Sequence, residues 1–164
     1  MLTNYASSFL FEGKTDSALV YTIRASERSA AGKDTAMLIE NLNQLGTIYR
    51  RKKDLENCIA NFEQALHLCE LRGNHNAVAF IYGNIATAYC DWSRPGDAIP
   101  FSEKAVEYAL KTGNKRRIGT CYVNLGAIQT RLVQMRAEGI ATLLKAIPIL
   151  EEVNDRRLLC DAYN

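Results

Sequence analysis

Apolar side chains return at helical spacing along almost the whole chain. Leu38, Leu42, Leu45 and Tyr49 stand at i, i+4, i+7 and i+11, a stripe down one helical face. Ile59, Phe62, Ala65, Leu66 and Cys69 form a second stripe after a short polar break. The pattern predicts one helix from about Asp34 to Lys52 and another from about Leu55 to Arg72. The pair then repeats. Gln44-Leu45-Gly46-Thr47-Ile48-Tyr49 returns as Asn84-Ile85-Ala86-Thr87-Ala88-Tyr89 and as Asn124-Leu125-Gly126-Ala127-Ile128-Gln129, 40 residues apart each time. A period of this size predicts stacked helical units rather than a globular core around a catalytic cleft.

Breaks in the pattern fall where helices should end. Gly73-Asn74 and Gly113-Asn114 suit left-handed caps, and Gly32-Lys33 fills the same role one residue off register. Pro95-Gly96-Asp97 opens a helix, because a first-turn N–H has no intrahelical partner to lose, and Pro100 lies close enough to be accommodated. Val133 to Ala137 cross the matching turn with one inserted residue, which sets Gly139-Ile140 against Ala98-Ile99. Pro148 falls inside the last full helix, a position that can kink it. The predicted divisions are a degenerate unit over 1–33, then 34–74, 75–114 and 115–154, and an incomplete unit over 155–164. Leu2, Tyr5, Ala6, Phe9, Ala18 and Ala25 carry the degenerate unit. Arg156 to Tyr163 begins another first helix without a polar cap, so the expectation is a fragment, or an end covered by a neighbouring molecule.

These positions resemble the tetratricopeptide repeat family. Its large first position is Leu42, Tyr82 and Tyr122; its Leu-Gly pair is Leu45-Gly46, Ile85-Ala86 and Leu125-Gly126. Its aromatic is Tyr49 and Tyr89, with Gln129 departing. On the second helix the small position is Cys58, Ala98 and Gly139, and Ala65, Ala105 and Ala146 close the pattern. The large second-helix position is Phe62 and Leu143, with Ser102 departing. The family's usual period is shorter, and the longer one here is similar to that of bacterial peptide-sensing regulators, kinesin light chains and polarity adaptors. The resemblance implies an all-α fold, a right-handed α-solenoid of antiparallel helix pairs forming one array. It also implies that first helices line a concave face across which extended peptides lie.

Composition narrows the picture. Apolar residues are 48% and charged ones 23%, which argues for a folded chain. A net charge of +2 is too small to point to nucleic acid or an acidic membrane. No apolar run reaches the roughly 20 residues a bilayer requires, and the N-terminus shows no secretory leader pattern. The five cysteines, Cys58, Cys69, Cys90, Cys121 and Cys160, form no CxxC pair, so they read as small apolar residues of a reducing, cytoplasmic chain.

One column carries candidate chemistry. Asn4, Gln44, Asn84, Asn124 and Asn164 stand 40 apart, the middle three just before the apolar positions Leu45, Ile85 and Leu125. A carboxamide donates and accepts, which matches a peptide unit. By resemblance these amides clamp ligand main chain; the alternative is that each bonds a neighbouring helix and stitches the stack. Adjoining groove candidates are Asn43, Thr47, Arg50 and Arg51, then Phe80, Gly83, Thr87 and Asp91, then Val123, Ala127, Thr130 and Arg131. Arginine forks onto carboxylates, so an acidic side chain or a C-terminus suits this set. The chaperone-tail carboxylate clamp is not matched.

Other chemistry finds little footing. Arg50-Arg51-Lys52-Lys53 ends a helix, where cations meet the negative end of the dipole. Arg116-Arg117 and Arg156-Arg157 open helices, where loop carboxylates or a partner would have to balance them. Gly13-Lys14-Thr15 lacks the first glycine and the preceding strand of a phosphate loop. His67 and His75 have no acidic or histidine partners in the pattern. No catalytic residue, metal or cofactor is expected. The expected function is a non-enzymatic scaffold that holds a protein or peptide segment, as the sensor or adaptor part of a larger signalling protein. The alternative is a structural module that self-associates through its C-terminal end.

Overall fold

The structure is a computed structural model and describes residues 8–163. Leu2, Asn4, Tyr5, Ala6 and Asn164 lie outside the described residues. Among the described residues there is no strand. Helices follow one another as α1 (Thr15–Ala31), α2 (Thr35–Arg51), α3 (Leu55–Leu71), α4 (His75–Asp91), α5 (Pro95–Thr112), α6 (Lys115–Arg131), α7 (Arg136–Glu152) and α8 (Arg156–Tyr163). The fold is all-α and of the α-solenoid class. Helix starts fall 20 residues apart from Thr15 to Lys115, so the 40-residue repeat consists of two equal halves. A 3₁₀ turn, Val133–Met135, holds the inserted residue and moves the start of α7 to Arg136. The last full helix continues through Pro148 to Glu152.

The connections explain this metre. A left-handed residue closes helix after helix: Gly13, Lys33, Lys53, Gly73, Ser93, Gly113 and Asn154 all have positive φ. At Gly73 and Gly113 the missing Cβ makes that conformation cheap. Lys33, rather than Gly32, takes the left-handed role, because Gly32 keeps a right-handed φ of −79°. The next residue's N–H then reaches back across the last turn: Asp34 to Ser29 O at 2.9 Å, Asp54 to Tyr49 O at 3.0 Å, Arg94 to Tyr89 O at 3.0 Å. The same residue starts the following helix. Asp34, Asp54, Asn74 and Asn114 each accept from the backbone N–H three residues on, at 3.0–3.1 Å. Arg94 has no such cap; its Nε bonds Asp97 Oδ2 at 2.6 Å and Pro95 supplies the first-turn geometry.

Contacts divide the chain into two compact units, one ending at Gly73 and one beginning at Asn74. In the first unit α2 packs on α1 and α3. Asn41, fully buried on α2, donates from Nδ2 to Ser29 Oγ of α1 at 3.0 Å. In the second unit α4 packs on α5, α6 on α5 and α7, and α8 on α7 and α6. Tyr82 and Tyr89 of α4 meet Phe101 and Tyr108 of α5, the Tyr89 and Phe101 rings stacking at 5.3 Å.

Each helix pair closes by leaving out a side chain on one helix and supplying it from the other. A Cβ added at Gly46 would stand 2.6 Å from the Phe62 ring, and one at Gly126 would stand 2.6 Å from Leu143 Cγ. In the repeat between them the matched positions are Ala86 and Ser102, both buried, so a larger first-helix residue accompanies a smaller second-helix one. Gly139 brings the backbones themselves together, since its Cβ would lie 2.7 Å from Thr130 N. Gln129, where the pattern has an aromatic, is buried and donates from Nε2 to Glu138 Oε1 at 3.0 Å. The amide thus finds a carboxylate where a ring would find apolar neighbours.

Gly46→Ala should destabilise the first unit by roughly 1–3 kcal/mol, the usual cost of overpacking a core. In a Phe62→Ala background the same change should cost almost nothing, a coupling that urea unfolding of the four variants measures. Ser93→Gly should raise stability by about 1 kcal/mol, because it relieves a non-glycine left-handed residue, and thermal unfolding reads that gain.

Candidate functional site

In the second unit the first helices α4 and α6 lie side by side, running the same way after two chain reversals. Phe80, Asn84, Thr87 and Asp91 share one face of α4, opposite the Tyr82 and Tyr89 rings that pack on α5. Two concavities open between α4 and α6. One, of about 200 Å³, is lined by Thr87, Cys90, Asp91, Asn124, Ala127, Ile128 and Arg131. The other, of about 90 Å³, is lined by Ala79, Phe80, Gly83, Asn84, Thr87, Arg117, Thr120, Cys121 and Asn124. Thr87 and Asn124 belong to both, so the two form one shallow trough.

The polar groups of this trough differ in what remains for a ligand. Thr87 and Thr120 donate their hydroxyls to carbonyls of their own helices, Gly83 O and Arg116 O, each at 2.8 Å. Asn84 is half-buried. Asn124 is exposed, and its amide makes no hydrogen bond among the described residues. At Gly83 a Cβ would meet nothing, which leaves the wall open there.

Cations gather at the start of α6 and are handled unequally. Lys115 pairs with Glu152, and Arg116 Nε bonds Asp155 Oδ2 at 2.8 Å. Arg116 thus meets a loop carboxylate, one of the two outcomes expected for an arginine at a helix start. Arg117 lies over the Phe80 ring, 5.1 Å from its centroid, and its Nε donates to Asn76 Oδ1 at 3.1 Å. Arg131, exposed at the far end of α6, has no ion pair among the described residues, although Asp91 lines the same concavity. Burial pushes the Cys121 thiol up to about 11 and raises that of Cys90, so neither is a ready nucleophile at neutral pH.

Most of the other candidates are not among the residues that line this trough. Asn43, Gln44, Thr47, Arg50 and Arg51 are on α2, in the first unit. There Thr47 Oγ1 donates to Asn43 O at 3.1 Å, and Arg51 Nη1 donates to Leu10 O at 3.1 Å. Lys52 pairs with Asp16, which anchors part of the basic run. Val123 is not a groove residue: it is buried with Ala146, Leu150, Leu158 and Ala162, because α8 covers the position that Gly83 leaves open. Thr130 borders a different, apolar concavity of about 370 Å³ with Ile140, Leu143, Leu144, Ile147 and Tyr163, and Ala127 lines both that concavity and the trough. Cys58, Cys69 and Cys121 are buried as expected, whereas Cys160 is exposed. Gly13-Lys14-Thr15 is a turn into α1, with Lys14 Nζ 2.8 Å from Glu12. Among the described residues no group of His, Cys, Asp and Glu could hold a metal ion, and no helix is long and apolar enough to cross a membrane.

Sequence reasoning did not place Arg117, Thr120, Cys90 or Cys121 in the trough. A signal for Arg117 was available: Arg117, Asn124 and Arg131 are spaced by seven, which holds a helical face.

Equal antiparallel helix pairs with a shallow trough between first helices define the helical-repeat class of binding proteins. Within that class, residues 35–111 match the family model of the tetratricopeptide repeat. That family is in general a non-catalytic, protein-binding fold. No curated protein matches the sequence. Among solved structures, aspartyl phosphate phosphatase F from Bacillus subtilis superposes with a TM-score of 0.89 at 17% identity, over 99% of this chain and 42% of that one. A Rap protein complexed with competence and sporulation factor gives 0.76 at 18%, over 98% of this chain and 45% of that one. A Podosopora anserina kinesin light chain with nearly identical TPR-like repeats gives 0.75 at 13%, over 99% and 83%. At these identities the likeness is one of fold. The chain spans less than half the length of the first and second of these.

Asp155 ties α8 to α6 and has a pH signature. The Leu158 N–H, bonded at 3.2 Å, and then Arg116 hold its carboxyl below the ordinary value. A depressed folded pKa gives stability that is complete above the unfolded value of about 3.9 and lost as pH falls through the lower folded value. Unfolding curves taken between pH 5 and about 2 should therefore fall less steeply for Asp155→Asn than for the wild type.

Proposed function

We propose that this protein is a non-catalytic scaffold that holds an extended protein or peptide segment in the trough between α4 and α6. The observation that carries the reading is the trough itself, where Asn84 and Asn124 line one concavity from α4 and α6 and the Asn124 amide stands exposed, with no hydrogen bond among the described residues. An amide so placed can donate to a ligand carbonyl and accept from a ligand N–H at once. Phe80, Thr87, Asp91 and Arg131 complete the contact face. On α2, Gln44, Asn43, Thr47, Arg50 and Arg51 are contacts of the first unit's own face. The helices are fixed before binding, so the ordering cost falls on the ligand alone.

The Rap structure named above contains competence and sporulation factor, which favours a peptide-like ligand here. This chain spans 45% of that protein's length, and the reading includes a sensor or adaptor role within a larger regulatory chain, acting in signal transduction in the cytoplasm. Nucleic acid and membrane are not partners in this reading, since the net charge is only +2 and the trough is mixed in polarity. A second reading is self-association through the C-terminal end. It is favoured by the apolar concavity there, where Ile140, Leu144 and Tyr163 are exposed.

The test is a capture experiment with wild type and an Asn84→Ala, Asn124→Ala variant, with bound protein identified by mass spectrometry. A partner retained by the first and lost by the second, at unchanged helicity and melting temperature, supports the scaffold. Equal retention by both removes the amides from the site. Under the second reading, Leu144→Lys should lower the oligomeric state seen in sedimentation.

A further inference from the structure

We propose that the trough between α4 and α6 selects segments carrying two carboxylates six residues apart in an extended chain. This rests on the scaffold reading above and specifies its ligand. Three side chains of α6 define the selection: Arg117, Asn124 and Arg131. A spacing of seven residues is nearly two helical turns, so all three project along one face. Fourteen residues at 1.5 Å each separate the two arginines by about 21 Å along the helix axis. An extended chain advances about 3.3–3.6 Å per residue, so six residues cover that distance. Because extended side chains alternate, residues i and i+6 face the same way. The side chain midway, at i+3, faces outward and leaves the local peptide group open to the Asn124 amide. Length and parity therefore agree on the same spacing.

Charge distinguishes these arginines from their neighbours. Lys115 and Arg116 are neutralised by Glu152 and Asp155, on the side of α6 toward α7 and α8. Arg117 has no carboxylate partner among the described residues; its Nε is held by Asn76 and its plane lies over Phe80, which leaves the four terminal N–H donors to fork onto a ligand oxygen pair. Arg131 likewise has no ion pair among the described residues. Asp91 shares its concavity, so a ligand carboxylate there is held on the α6 side. The trough thus has a cation near each end and neutral amides at its middle, complementary to an acidic pair flanking a neutral stretch.

The experiment is selection from an unbiased library of twelve-residue peptides on the full chain, read by sequencing. The expected result is enrichment of Asp or Glu pairs at i and i+6. Arg117→Gln and Arg131→Gln should each weaken an enriched peptide about fivefold, the upper range for an exposed charge pair, and high salt should erase the difference. Enriched peptides that lose binding in the Asn84→Ala, Asn124→Ala variant but show no acidic pair, or ignore both arginines, would overturn this inference and leave the scaffold reading intact. Failure to enrich any peptide would overturn both.

Discussion

Close approach of the paired helices is the constraint on which the rest depends. Gly46 faces Phe62 and Gly126 faces Leu143 across distances that admit no further carbon. The large residue fills the space that the glycine vacates, so each pair closes at one depth and in one register. Where the first helix carries Ala86, the matched residue shrinks to Ser102. Volume is conserved across the pair rather than at a position, which makes a departure on the second helix intelligible from the first.

That depth would mean little without a fixed turn. Left-handed closing residues recur at intervals of 20 from Gly13 to Gly113, so α1 to α6 have nearly equal length and reverse at equal places. Equal reversal returns every first helix to the same phase. Residues 40 apart, such as Asn84 and Asn124, therefore stand beside each other instead of drifting around the helix. The inserted residue before α7 tests this logic, because a 3₁₀ turn absorbs it and α8 begins 20 residues after α7.

The trough is a consequence of these two rules together. Bulky residues of α4, Tyr82 and Tyr89, are committed to α5, so its opposite face is free for Phe80, Asn84 and Thr87. Shallow walls with paired amides suit a chain lying along them better than a small molecule enclosed by them. Among the described residues, the cations turned toward α7 and α8 have carboxylate partners and the arginines along the trough do not.

Much of this was legible in the chain because repetition reports itself. Period, helix limits, the left-handed glycines at 73 and 113, and the buried columns at 45, 85 and 125 follow from local pattern and conformational cost, which need no neighbour to act. Three things required the folded molecule. Val123 reads as a groove residue by its column, yet α8 buries it, because burial depends on what packs next. Arg116 and Arg117 are adjacent and alike in sequence, but one meets Asp155 and the other lies over Phe80, since side chains 100° apart on a helix face different partners. Gln129 reads as a lapse from the aromatic column until Glu138 comes within 3.0 Å. The sequence by itself determined the metre of the helices through turn chemistry and apolar period. The tertiary structure decided which charges are spent within the fold and which remain at its surface, because that depends on residues brought together from separate helices.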